Sequence, residues 1–163
     1  VQGPCPDRSR RCGPLARLRL GPMTMSDASP AGARDVIDRY FSLLAARDRD
    51  GLLEVLSPEI VVTYHGQDVR LPWAGRYEGV DGFDEFLGIV AAHFEVVNVD
   101  RSAYIADGDQ VVVQCQGTWL AKPTGREINA GMVNVFSVDA GRISGYEVYA
   151  DTEAFAHALR DDV

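Results

Sequence analysis

The sequence is short of cysteine and histidine, carries no excess of positive charge and has no long apolar run. Each shortage removes a class of function. Cys5, Cys12 and Cys115 are odd in number and show no metal-ligand spacing, which argues against a disulfide framework and a zinc site and favours a reduced, cytoplasmic setting. His65, His93 and His157 are scattered without carboxylates at ligand spacing, and no Gly-rich loop runs from a strand into a helix. No metal, nucleotide or other cofactor is therefore expected. The net charge is −8 and the sequence pI about 4.8. Such a chain repels a phosphate backbone, so a nucleic-acid partner is not expected. No apolar stretch approaches the roughly 18 residues of a membrane span, so no membrane role is expected either.

What is present is ordinary globular material: 163 residues, 46% hydrophobic and 25% charged, the size of one domain. Residues 1–30 stand apart. They hold five arginines, two of the cysteines and almost no periodic apolar pattern. They read as a disordered Arg/Pro-rich leader that cannot bury enough surface to offset its ordering entropy. The segment LARLRL is too broken by arginine for a secretory signal. Met23 and Met25 offer translation starts that would omit most of this leader.

From residue 31 the pattern becomes regular. Val36, Ile37, Tyr40, Phe41, Leu43 and Leu44 recur at helical spacing and predict a helix over 31–47. The DRDG turn follows, then a short helix over 51–56 and a β-branched strand that runs into Tyr64. Residues 66–79 are rich in turn formers and read as a loop. Phe83, Phe86, Leu87, Val90 and Phe94 predict a helix over 80–94. Four strands are expected next, over 95–106, 110–121, 127–138 and 142–149, with the pairs Asp107-Gly108, Thr124-Gly125 and Ala140-Gly141 as turns. A short helix over 151–159 closes the chain. Helices first and an antiparallel meander second indicate α+β.

Three stretches carry a family resemblance: RYFSLLAARDRDGLLEVLSPEIVV, LPWAGRYEGVDGFDEFL and DAGRISGYEVYADTEAF. With the element order, they make residues 31–160 similar to the NTF2-like superfamily, and specifically to its SnoaL-like and ketosteroid-isomerase-like members. The resemblance implies a cone-shaped α+β fold, with N-terminal helices packed on a curved antiparallel sheet that encloses a pocket. It further implies a homodimer and a small apolar ligand or substrate. The activity implied is cofactor-free acid/base chemistry of isomerase, cyclase or dehydratase type on a carbonyl compound such as a polyketide. A ligand-binding or assembly module on the same fold is the alternative, since this fold hosts unrelated functions.

Carried over residue by residue, the isomerase's helix tyrosine matches Tyr40. Its base position falls on Tyr64, and its second aspartate falls near Met132, with Asn134 on the same strand face. Aligned with limonene-epoxide-hydrolase-like chains, Asp151 matches the final aspartate and Tyr64 the tyrosine. The remaining relay falls on Gln116 and Thr118, neither of which ionises usefully at neutral pH. A SnoaL-like cyclase needs one group to move a proton and donors to hold an enolate oxygen. Asp151 or His65 is the candidate for the first, and Tyr40, Tyr64 and Asn134 for the second.

Each candidate has a plainer role beside it. Asp151 also suits the N-cap of the closing helix. His65 adjoins Tyr64 on a strand, where alternate residues face opposite ways, so only one of the two points inward. Phe86 and His93 share the inward face of their helix, as pocket wall or core. Trp73 is a lid or a plug. Placing Gln116 inside the cone puts Cys115 and Trp119 on the outer sheet face, which marks Trp119 as a dimer contact.

Overall fold

The structure, a computed structural model, describes residues 30–67 and 69–160. Apart from the backbone of Pro30, the leader expected over 1–30 lies outside the described residues.

Helix α1 spans Pro30–Ala46 and buries Ala33, Ile37 and Tyr40, the three- and four-residue spacing of one helical face. Asp48 caps α2 (Arg49–Val55) by accepting from the Gly51 amide at 2.9 Å. Then come β1 (Leu56–Tyr64), β2 (Gly75–Glu78) and α3 (Gly79–His93). The meander β3 (Phe94–Asp107), β4 (Gln110–Ala121), β5 (Glu127–Asp139) and β6 (Arg142–Ala150) follows, and α4 (Thr152–Ala158) ends the domain. Apart from β2, which had no expected counterpart, these bounds lie within one or two residues of the expected elements, β1 excepted, which begins earlier at Leu56.

The six strands form one sheet in the order β2-β1-β6-β5-β4-β3. Two features correct the sequence reading. The stretch 66–79 is not all loop, because β2 pairs antiparallel with β1 and sets Tyr64 opposite Gly75. The sheet is also not wholly antiparallel: β1 lies parallel to β6, with Thr63 opposite Glu147 and Tyr64 opposite Val148. Neither a four-residue strand nor a long-range parallel pairing leaves a periodic signal of its own.

The helices cover the concave face of this sheet, and the core lies between. Along β4 the burial alternates strictly, with Val111, Val113, Cys115, Gly117, Trp119 and Ala121 turned inward. Gly117 is needed there. A Cβ at that position would stand 2.6 Å from the Trp119 ring and 2.7 Å from the Asn98 carbonyl, so only glycine lets the indole lie across the strand.

Candidate functional site

Two aromatic clusters fill the concave side. Under α4, Trp119 meets Phe155 edge-on at 5.2 Å, and Trp73 meets Phe94 and Phe155 at 5.5 and 6.2 Å. Trp73 is only 2% exposed, and its carbonyl accepts from the Tyr77 hydroxyl at 3.0 Å, so it is a plug of the core and not a lid. His93 sits beside it, rings 5.9 Å apart, and its Nδ1 donates to the Ile89 carbonyl one turn back. These contacts make His93 a half-buried packing residue at the end of α3.

The second cluster, under α1, gathers Tyr40, Phe41, Phe83, Phe136 and Tyr146. Phe136 and Tyr146 are neighbours across β5 and β6 and stack in parallel at 4.7 Å. A polar chain runs through this cluster. The Tyr146 hydroxyl donates to Asn134 Oδ1 at 3.0 Å, and Asn134 Nδ2 donates to Cys115 Sγ at 3.3 Å. Asn134, 2% exposed, is the one buried amide or charged side chain among the described residues. Tyr40 stands next to Tyr146, rings 6.0 Å apart, and its buried hydroxyl, short of a well-formed hydrogen bond, has the Tyr146 hydroxyl as its polar neighbour.

Burial governs the acidity of every group here. It pushes the Tyr40 and Tyr146 hydroxyls well above the ordinary tyrosine range, the proximity of Tyr146 offsetting part of the effect at Tyr40. It raises the Cys115 thiol as well, against a partial offset from the Asn134 hydrogen bond. At neutral pH the chain Tyr40, Tyr146, Asn134, Cys115 is therefore uncharged. It can donate to, and accept from, a ligand oxygen, but it supplies no base.

Tyr64 links this interior to the surface. It is buried, and burial pushes its hydroxyl up to about 12, partly offset by Trp73. Its ring lies 6.2 Å from Phe86, which lies 6.3 Å from Tyr146. Tyr64 also forms part of an open surface hollow of about 550 Å³ with His65, Gln67, Val69, Ala74 and Arg76. A smaller hollow of about 210 Å³ lies beyond it, between Arg70 and Glu153.

Several expected site residues are elsewhere. Asp151 is exposed, and its carboxylate accepts from the Ala154 amide at 3.1 Å; it caps α4 and does not turn into the cone. His65 follows the parity of Thr63, not of Tyr64, and faces out. There its Nε2 donates to Glu147 at 3.0 Å and its ring stacks on Tyr149 at 4.1 Å. Gln116 is exposed on the outer face, close over Gly131, and Thr118 pairs with Asn129 on the same face. Cys115 and Trp119 are inside instead. The alignment with limonene-epoxide-hydrolase-like chains that put Gln116 inside overrode the alternation of β4, which is apolar at every odd position and polar at Gln114, Gln116 and Thr118.

The structure thus brings together Tyr40, Asn134, Phe86 and Tyr64, with Met132 opposite Cys115 on the inner face. It leaves out Asp151, His65 and Gln116. The residues missed in the sequence are Tyr146 and Cys115. The alternation of ISGYEVY, with Ile143, Tyr146 and Val148 inward, carried the signal for Tyr146, although the irregular register at Ser137 and Val138 blurs it.

Comparison with known proteins agrees with this architecture. The profile of the SnoaL-like domain matches residues 37–146. An NTF2-like protein from Burkholderia xenovorans LB400 superposes with a TM-score of 0.74 at 23% identity, covering 81% of this chain and 98% of its own. TerC, crystallised with polyporic acid, gives 0.70 at 21% identity over 82% of this chain and 100% of its own. A limonene-epoxide-hydrolase-like epoxide hydrolase of M. tuberculosis gives 0.60 at 20% identity, over 79% and 90%. At such identities the superpositions speak to fold alone, and no curated protein sequence matches. With its profile matched over most of the described domain and its helices closed over one face of a curved sheet of NTF2-like fold, the chain belongs to the SnoaL-like family.

Proposed function

We propose that the protein binds a mid-sized, largely apolar compound inside the cone and holds it by one oxygen atom at the Tyr40–Tyr146 pair. The observation that carries this reading is the Tyr40 hydroxyl, buried among aromatic rings and without a well-formed hydrogen bond. A buried unpaired hydroxyl costs on the order of 1–3 kcal/mol, and an oxygen acceptor from a ligand would recover that cost. The surroundings suit such a ligand: aromatic walls with few polar groups are the usual make-up of small-molecule sites. The compound enters from the hollow at Tyr64 and displaces Phe86, the ring between Tyr64 and Tyr146.

Binding is favoured over isomerase, cyclase or dehydratase turnover because the proton acceptor such turnover needs is not in the interior. Asp151 and His65 were the candidates, and both face solvent. An epoxide-hydrolase relay has no support either, since Gln116 and Thr118 lie on the outer face. Mass spectrometry of the protein under non-denaturing conditions, after purification from its own host, tests the reading. A retained small molecule is expected from the natural protein and a depleted one from Tyr40→Phe. Equal retention by the two would defeat it.

A further inference from the structure

The hollow outside Tyr64, of about 550 Å³, counts Arg76 and His65 among its described lining residues and no carboxylate. The smaller hollow beyond it differs, because there Arg70 faces Glu153 and the two charges cancel. That contrast singles out the first hollow, in a chain whose net charge is −8. Pairing of β2 with β1 sets Arg76 opposite Thr63, which shares a strand face with His65. Only one nitrogen of Arg76 is used. Its Nε donates to Glu78 at 3.1 Å, and neither terminal nitrogen makes a hydrogen bond with a described residue. The Arg76–Glu78 pair is exposed and screened by water, so it contributes little and is easily shared. The remaining Nη1–Nη2 edge is a planar fork that fits the two oxygens of a carboxylate. Glu147, the other acid nearby, is engaged by His65 and Tyr149. Beside these polar groups the wall is apolar, built from Val69, Ala74 and the buried Tyr64.

We infer that the ligand is an acid: an apolar body carrying a carboxylate, which Arg76 holds at the rim while the body lies against Tyr64. This inference rests on the ligand-binding reading above and adds the other end of the molecule. The carboxylate takes the unused edge of Arg76, with the Thr63 hydroxyl as a neighbouring donor. His65 is already turned to Glu147 and serves as a wall. An amide of the same shape gains a neutral hydrogen bond in place of a charged, two-point contact. Because the chain as a whole is acidic, its overall charge opposes an anion, and any preference for one is local to this hollow.

The test is titration of the full chain, followed by backbone-amide NMR at neutral pH and low salt, with 2-naphthoate and its uncharged isostere 2-naphthamide. The signals that move report where each probe sits. Expected are shifts at Thr63, His65, Gly75 and Arg76. Binding of 2-naphthoate should be about fivefold tighter than that of 2-naphthamide, the scale of a charge-assisted hydrogen bond over a neutral one. Arg76→Gln should bring 2-naphthoate down to the level of 2-naphthamide. Arg70→Gln, in the neighbouring hollow, should keep the preference. Arg76 is exposed on an edge strand, so its replacement does not endanger the fold. Equal binding of the two probes by the natural protein, or a preference that survives Arg76→Gln, would overturn the acid inference and leave the ligand-binding reading standing. Binding of neither probe would remove both.

Discussion

The two faces of strand β6 carry the same kinds of group in opposite circumstances. Inward, Tyr146 is tied to Asn134 and beyond it to Cys115, all buried and uncharged. Outward, one residue along, Glu147 binds both His65 and Tyr149, and the three are exposed. The outer trio has the residue types usually associated with proton transfer, yet water screens its ion pair, and such a pair is worth about 0–1 kcal/mol. The inner chain has no charge at all, but each of its hydrogen bonds is made where no solvent can replace it. Chemical type is thus a poor guide to which face is shielded from water.

The largest test of that contrast is on β4. Trp119→Ala should cost roughly 3–5 kcal/mol in urea unfolding, as expected for a buried tryptophan, while its outward neighbour Gln116→Ala stays within about 0.5 kcal/mol. Comparable losses at the two positions would mean the faces are misassigned. The dimer contact expected at Trp119 has no basis, since that residue is 4% exposed. A homodimer would instead use the outer face through Val112, Val133 and Val135, beside Ile105 at 65% exposure. Sedimentation of Val135→Asp, monomeric against a dimeric natural protein, is the measurement that checks this.

Tyr40→Phe separates stability from binding. It removes an unsatisfied hydroxyl, so thermal unfolding should show a gain of about 1 kcal/mol while ligand affinity falls about tenfold. Alkaline titration sharpens the same point. The Tyr40, Tyr64 and Tyr146 hydroxyls have folded values above the ordinary 10.0. The unfolded chain therefore loses protons first. Stability should be level below pH 10 and fall as the pH rises above it through the raised folded values, less steeply in Tyr40→Phe.

Asp151 gives a smaller effect, on the fold alone. Asp151→Ala should lose about 1 kcal/mol with the α4 cap, Asp151→Asn should keep the cap, and neither should change ligand affinity. A fall in affinity for Asp151→Asn would return this carboxylate to the site. The smallest effect belongs to the outer trio. Hydrogen bonds from His65 and Tyr149 hold Glu147 below its ordinary value of 4.5. Its contribution is therefore present above that value and is lost as the pH falls through the lowered folded one. Because the pair is exposed, His65→Ala should flatten that acid limb only slightly in a melting series.

How legible all this was in the sequence depended on periodicity. Elements with a repeating apolar pattern, such as α1 with Ile37 and Tyr40 or β4 with its strict alternation, were read to within a residue or two. Tyr40 and Asn134 fall in the interior as expected because their elements were placed correctly. Tyr146 was missed because its partner is a residue on another strand and its parity passes through an irregular register. Asp151 and His65 were drawn into the site by residue type and family position. Their actual roles, a helix cap and an outward contact, depend on single backbone directions that no spacing announces.

The parallel seam between β1 and β6 also bears on the order of events when the chain folds. The meander β3 to β6 closes by near-neighbour hairpins, each needing only a short loop, whereas β1 must wait for β6, the last strand of that meander. Pairings so distant in sequence pay their loop-closure entropy late and slow the final step. During synthesis α1 would leave the ribosome long before β6, so Tyr40 is among the first core residues made and Tyr146 among the last. An apolar helix left waiting for its sheet is open to chaperones and to aggregation during that interval. The interior polar chain is then the last thing the molecule acquires.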